Sequence, residues 1–369
     1  MALPSKSKTW QYIWNTAQTT SGNALTDAQN AMFMLVQKLL ALRNAVDASG
    51  NPSGATPIFV CCGSSDKTTN FSSASTTAQT NYWASASNLV YTATPNFGSW
   101  IVLKNQSSGL TNPYYLLIGL QSSGSFYYPY VGISYSGFSG GGLNAYPTCA
   151  DMFSPGGAGS AASTTIQAQN WWPTNGSATI AWSGKIHVLA STDGTSVRLL
   201  VSYNGFTQQA YFFEQPASAV AGWTNPLVVI NNSLSVASMT YAANFLTNAL
   251  VLGATVNTSI RGNPNALAAS PLLPTLVTGL PAITLVNTTY LEAATNLPND
   301  LDGSWPMCSA ILLGTATSGW RGQLGTLADL WFGSAAAGDL STYPNDATRL
   351  FVQFGNVILP NNGTVVVAT

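Results

Sequence analysis

A mainly β fold is predicted for this chain: a β-sandwich of jelly-roll-like type carrying an N-terminal α-helix and a few short helices. Three observations predict it. From about residue 57 onward, β-branched and aromatic residues gather in short runs bounded by Gly, Asn, Asp and Pro, the punctuation of strands and turns. The dipeptides Asp193-Gly194 and Asn204-Gly205 each separate two such runs, as in hairpins. The clearest helical spacing of apolar residues is confined to the N-terminal part.

That helix is read from Thr26-Asp27-Ala28-Gln29, a capping box in which the Thr hydroxyl and the Gln amide satisfy free backbone N–H groups. Ala28, Met32, Leu35, Leu39, Leu42 and Val46 then follow at three- and four-residue steps, with Met34, Val36 and Leu40 widening the stripe. The width predicts burial on more than one side. Gly50, Pro52 and Gly54 are expected to end it.

Strands are expected at Ile58 to Cys62, Trp100 to Leu103, Tyr114 to Gly119 and Tyr127 to Tyr135. Lys185 to Ala190 runs through Asp193-Gly194, read as a type I′ turn, into Val197 to Tyr203. Asn204-Gly205 then leads to Gln209 to Glu214, so the three strands make a meander. A second helix is expected around Val236 to Leu252, and the proline-bearing stretch 263–281 reads as a linker. Further strands follow at Ala282 to Tyr290, Cys308 to Leu313, Leu324 to Phe332, Arg349 to Leu359 and Thr364 to Ala368. The resulting division is 1–55, N-terminal arm and helix; 56–215, first part of the β-sandwich; 216–281, helix and Pro-rich connection; 282–369, C-terminal strands completing the β-domain.

Composition bounds the function. The chain has 369 residues, of which only 6% are charged, against about 25% in typical soluble proteins. Eleven Lys and Arg against twelve Asp and Glu give a net charge of −1, which offers no basic surface for a phosphate backbone. Nucleic acid is therefore not an expected partner. Ser, Thr, Asn, Gln and Gly replace the missing charge, and such an exterior lacks the repulsion that keeps free monomers apart. It is expected to be covered by neighbouring copies.

No apolar segment follows the N-terminal lysines, so no signal peptide is expected there, and no run reaches membrane-spanning length. Cys61, Cys62, Cys149 and Cys308 show no C-x-x-C spacing, so reduced structural thiols are expected; adjacent Cys61 and Cys62 in a strand would point to opposite faces.

Each catalytic pattern has a stronger bland reading. Gly137-Phe138-Ser139-Gly140-Gly141 matches a nucleophile elbow, with Asp151 and His187 following in order, but Gly140-Gly141-Gly142 and Pro147 preclude the helix that an elbow needs. His187, the only histidine, sits within an apolar run and reads as a buried strand residue rather than a metal ligand. Glu214 and Glu292 are the only glutamates. Asp300 and Asp302, followed by Gly303, read as a turn rather than an acid/base pair. No catalytic residue, cofactor or metal is expected. Tyr127, Tyr128, Tyr130 and Tyr135, with Trp171 and Trp172, supply faces that stack on sugar rings or seal subunit contacts.

Two regions carry a resemblance. Near the start these are Lys8-Thr9-Trp10 with Asn15, the segment Lys38 to Arg43, the strand into Gly63-Ser64-Ser65-Asp66, and Gly98 to Leu103. Near the end they are Gly325-Thr-Leu-Ala-Asp-Leu-Trp-Phe-Gly333, Tyr343-Pro344 and Phe351 to Pro360. Together they resemble a pattern of virion proteins of tailed bacteriophages. The resemblance implies a non-enzymatic, multi-copy structural component of the tail, baseplate or neck, made in the host cytoplasm and located in the virion, with other copies of itself and other virion proteins as partners. The alternative is a receptor- or glycan-binding module of a tail tip or fibre, taking a host surface glycan. Tyr127, Tyr128, Tyr130, Trp171 and Trp172 are the candidate glycan or subunit contacts; Trp10, Trp14, Met32, Leu35 and Leu39 are the candidate assembly anchors.

Overall fold

The computed structural model describes residues 6–18, 24–64, 100–110, 113–123, 126–134, 184–203, 206–215, 218–219, 227–231, 248–252, 258–260, 282–286, 307–316, 319–342 and 351–360. Among them the protein is mostly antiparallel β, with one helix.

A four-stranded sheet takes β2 (Phe59–Ser64), β3 (Trp100–Asn105), β4 (Tyr114–Ser123) and β5 (Phe126–Ser134) in sequence order. A seven-stranded sheet opens with β1 (Trp10–Gln18) at one edge. It continues through β6 (Gly184–Ser191), β7 (Ser196–Tyr203), β8 (Phe206–Glu214), β10 (Leu227–Asn231), β11 (Asn248–Leu252) and β12 (Thr258–Ile260). The last sheet orders β13 (Ala282–Val286), β14 (Met307–Ala316), β15 (Gly319–Thr342) and β16 (Phe351–Pro360), with the short β9 (Ser218–Ala219) paired to β15.

The meander β6-β7-β8 is present as expected. Strands adjacent in sequence are mostly adjacent in space, an up-and-down order, whereas a jelly roll would cross between sheets. For the pairs β4–β5, β6–β7, β7–β8 and β14–β15 a connection of two to four residues returns the chain beside the strand it has just left.

The helix α1 spans Ala24–Ala41. It starts before Thr26, so Thr26 lies inside the first turn and is not the cap. It also stops well short of Gly50. Gln11, fully buried on β1, explains that end: its side-chain oxygen accepts from the Arg43 N–H at 2.8 Å and its amide donates to the Arg43 carbonyl at 2.6 Å. The Arg43 guanidinium donates to the Leu40 and Leu42 carbonyls at 2.6 and 3.0 Å, satisfying groups that a helix C-terminus leaves free. Past that clamp, Val46 is bridged to Pro52 rather than continuing the helical stripe.

The expected second helix is corrected in its last part. Residues 248–252 form β11, paired along its length with β10; Ala249, Val251 and Leu252 here obey a strand ladder despite the helical spacing of their neighbourhood. Residues 236–247 lie outside the described residues, as does the last expected strand, 364–368.

One core is shared by α1 and two sheets. Met32, Leu35, Val36 and Leu39 of the helix pack with Phe59, Ile101, Leu103, Leu116, Ile118 and Ile133 of the four-stranded sheet. Ile186, Val188, Val197, Leu199, Tyr211 and Phe213 of the seven-stranded sheet belong to the same buried cluster. Tyr114 stacks on Phe213 across the two sheets, their ring centroids 6.0 Å apart. Cys61 joins this core with Phe59 and Cys62 does not, because successive side chains of a strand leave it on opposite faces, as expected; Cys62 is also the extra residue of a bulge in the β2–β3 pairing, and both are buried, reduced thiols. Burial holds the Cys62 thiol up at about 12, so it stays protonated and unreactive near neutral pH.

The opposite face of the seven-stranded sheet is buried as well. His187, Leu189, Arg198, Leu200, Phe212 and Glu214 alternate with the core residues, yet each is sealed from solvent. Their cover includes the central segment Leu327–Trp331 of β15, whose residues are also buried; β15 approaches β8. Sheet strands covered on both faces read in sequence as continuous apolar runs rather than alternating ones, as Val188-Leu-Ala190 and Tyr211-Phe-Phe213 do.

Candidate functional site: a buried polar tether at Asp329

In a chain with so few charges, the described residues place five charged groups around one junction. It begins with an irregularity in β15. Ser309 pairs with Trp331 and Ile311 with Thr326, so Leu327 to Leu330 bulge out opposite the single residue Ala310. Asp329, at φ 49°, is the one described non-glycine residue in the left-handed region, a conformation that Asp tolerates better than most residues. The bulge turns the Asp329 carboxylate and the Ala328 and Asp329 carbonyls toward the seven-stranded sheet.

The carboxylate gathers the N-terminal arm. One oxygen accepts from the Ser7 N–H at 2.7 Å and the Ser7 hydroxyl at 2.8 Å. The other accepts from the Lys8 N–H at 3.0 Å and the Trp10 indole N–H at 2.7 Å. The carbonyls are taken by Arg198: one guanidinium nitrogen donates to the Asp329 carbonyl at 2.8 Å and another to that of Ala328. The remaining Nε donates to Glu214 Oε1 at 2.5 Å, both side chains having no exposed surface. The Trp10 ring lies 4.5 Å from the guanidinium carbon, a cation–π contact made in a dry environment.

Further bonds fix the arm. Lys8 Nζ reaches Thr195 Oγ1 and lies 3.3 Å from Asp193 Oδ2. Asp193 also accepts from the Ser191 hydroxyl, the Thr195 N–H and the Thr195 hydroxyl. Burial pushes the Asp193 carboxyl up, but these hydrogen bonds and the Lys8 charge together outweigh it and hold it below the usual carboxylate range. The turn carrying Asp193 is not the type I′ expected. Only Gly194 has positive φ, at 67°, and four residues separate β6 from β7; the Gly194 N–H donates to the Ser191 carbonyl at 2.9 Å. The turn is held in place by Asn105, whose amide donates to the Gly194 carbonyl at 3.0 Å. Tyr12, next to the site on β1, has its hydroxyl raised out of the physiological range by burial first and by the Asp329 charge second.

Chemically this arrangement holds chain segments. Arg198 and Glu214 are sealed, and Trp10 and Asp329 keep 1% and 5% of their surface, whereas Lys8 and Asp193 at the rim are partly exposed. The tether joins residues 7–10, β7, β8 and β15, which are separated by up to 322 positions in sequence.

Of the residues singled out from sequence, Trp10 enters the tether, through its bond to Asp329 and its contact with Arg198, and the others fall elsewhere. Trp10, Met32, Leu35 and Leu39 are buried within the chain's own fold, so the stripe expected to anchor a neighbouring copy is already covered. Trp14 lies on β1 and Tyr127, Tyr128 and Tyr130 on β5, at the edge of the four-stranded sheet; their side chains lie outside the described residues. Trp171, Trp172, Tyr135, Ser139, Asp151, Glu292, Asp300 and Asp302 lie outside them altogether. His187 is buried on β6, where desolvation, then the Lys185 charge, lowers its pKa to about 3. Among the described residues no group of three or more His, Cys, Asp or Glu is placed to hold a metal ion, and no helix is long and apolar enough to cross a membrane.

Sequence reasoning passed over Arg198 and Asp329. The available signal was an arginine inside the apolar run Val197 to Val201, in a chain where charges are scarce enough that each one inside a strand calls for a partner. Compared with known proteins, the chain matches no protein-family model and no curated sequence.

Proposed function

We propose that this protein is a non-enzymatic structural subunit of a tailed-bacteriophage virion, built into the tail, baseplate or neck in multiple copies. In this reading the four- and seven-stranded sheets form a sandwich around the shared core, and neutral outer surface is buried between subunits. The observation that carries the reading is the Asp329 tether. The two stretches that resemble phage particle proteins, Lys8 to Trp10 and Gly325 to Gly333, lie far apart in sequence and are hydrogen-bonded to each other. Two remote stretches that share one junction form a single structural unit, as a common packing pattern requires. The sparse charge, 6% of residues, supports the same reading, since a weakly charged exterior favours association over free diffusion.

The alternative, a glycan-binding module at a tail tip, draws on the placement of Tyr127, Tyr128 and Tyr130 together on the edge strand β5. Peptide mass spectrometry of purified virus particles, with gold-labelled antibody to locate the chain, tests the proposal. Many copies per particle in the tail, baseplate or neck support it. A chain recovered only from the soluble lysate, or as a few copies at fibre tips that bind host polysaccharide, overturns it.

A further inference from the structure

We propose that Ser196 and Glu214 together bind one internal water molecule that completes the Arg198 tether. Glu214 spends Oε1 on Arg198, while its Oε2 is buried with no hydrogen-bond partner among the described residues; the Ser196 hydroxyl is buried in the same condition. Both residues have no exposed surface. In the β7–β8 register Ser196 stands directly opposite Glu214, so the two side chains leave the sheet on the same face, their Cβ atoms about 5 Å apart.

A carboxylate oxygen sealed without a donor is costly, and native folds resolve such groups with ordered water or an ion. The chemistry selects water. Arg198 already neutralises Glu214, and a metal cation beside a buried guanidinium would be repelled. A direct bond is disfavoured because the carboxylate is drawn two residues along the sheet toward Arg198, while the serine side chain is short. A water donates to Oε2 and exchanges a hydrogen bond with the hydroxyl. The Ser196 backbone does not compete for it, because the Ser196 N–H already donates to Ser191 Oγ at 3.0 Å.

The test is a crystal structure of the full chain at a resolution that shows ordered water, paired with thermal melts of Ser196→Ala and Ser196→Val. The expected map holds one isolated peak within hydrogen-bonding distance of both oxygens. Ser196→Ala, which leaves the water bound to Glu214, should lower the melting midpoint slightly; Ser196→Val, which displaces it and strands Oε2, should lower it distinctly more. A direct Ser196–Glu214 hydrogen bond in the map, a metal ion in place of water, or equal losses in the two variants would overturn the proposal.

Discussion

Lowering the pH from about 7 to about 4.5 is expected to cost the fold about 2.5 kcal/mol through His187 alone. Burial on β6 lowers the pKa of this imidazole from 6.5 to about 3. The folded protein therefore keeps it neutral while the unfolded chain takes up a proton. A depressed base contributes stability that is fully present above its unfolded pKa, declines as the pH falls below 6.5, and stops declining near the folded value of about 3. In that window each pH unit removes about 1.4 kcal/mol. The assay is urea unfolding at both pH values for the wild type and His187→Gln. Because His187 is the only histidine, the assignment is unambiguous. The variant's own baseline does not matter, since the readout is the difference between the two pH values, which should shrink by about 2.5 kcal/mol. The same acid-induced loss in both proteins would show that His187 is protonated in the folded state and that its side of β6 is not sealed.

Three further perturbations probe the tether and core. Asp329→Ala strands several donors, including the buried indole N–H, at about 1–3 kcal/mol per unsatisfied group. It should also make the arm at residues 7–10 cleavable by protease under native conditions, whereas Asp329→Asn, which keeps the shape and tolerates positive φ, should lose less. Glu214→Ala leaves Arg198 buried and unpaired, a loss of about 3–5 kcal/mol in chemical denaturation. Replacing both partners with apolar residues should recover only part of it, because the Ala328 and Asp329 carbonyls lose their donor. Leu39→Ala, in the shared core, should cost about 2–5 kcal/mol by the same measurement.

Much of the β architecture is legible in the sequence, because strand runs and turn dipeptides are local signals. The tether is not, and a single residue explains why. With Tyr203 facing Phe206 across the Asn204-Gly205 connection, an unbroken ladder would place Arg198 opposite Tyr211, with Glu214 on the other face of the sheet. Gln208 is instead an extra residue, since Val201 pairs with Gln209 and Ser202 with Thr207. This one-residue slip moves Arg198 opposite Phe212 and brings Glu214 onto its face. Asp329 likewise depends on a bulge in β15 that no strand period announces. The helix shows the same limit from the other side. Its apolar stripe at Met32, Leu35 and Leu39 is legible, but the clamp that stops it comes from Gln11, in another element. Periodicity also shows that a stripe is buried without showing by what. These side chains are covered by the chain's own sheets rather than by a neighbouring copy.

Sedimentation of the purified full-length chain over a range of concentrations tests most directly whether this weakly charged exterior is built for association. A subunit of a multi-copy particle should sediment as a defined oligomer or larger ordered assembly, and its sedimentation should persist at high salt, because few charges hold it together. A species of single-chain mass at every concentration, unchanged by salt, would contradict the account.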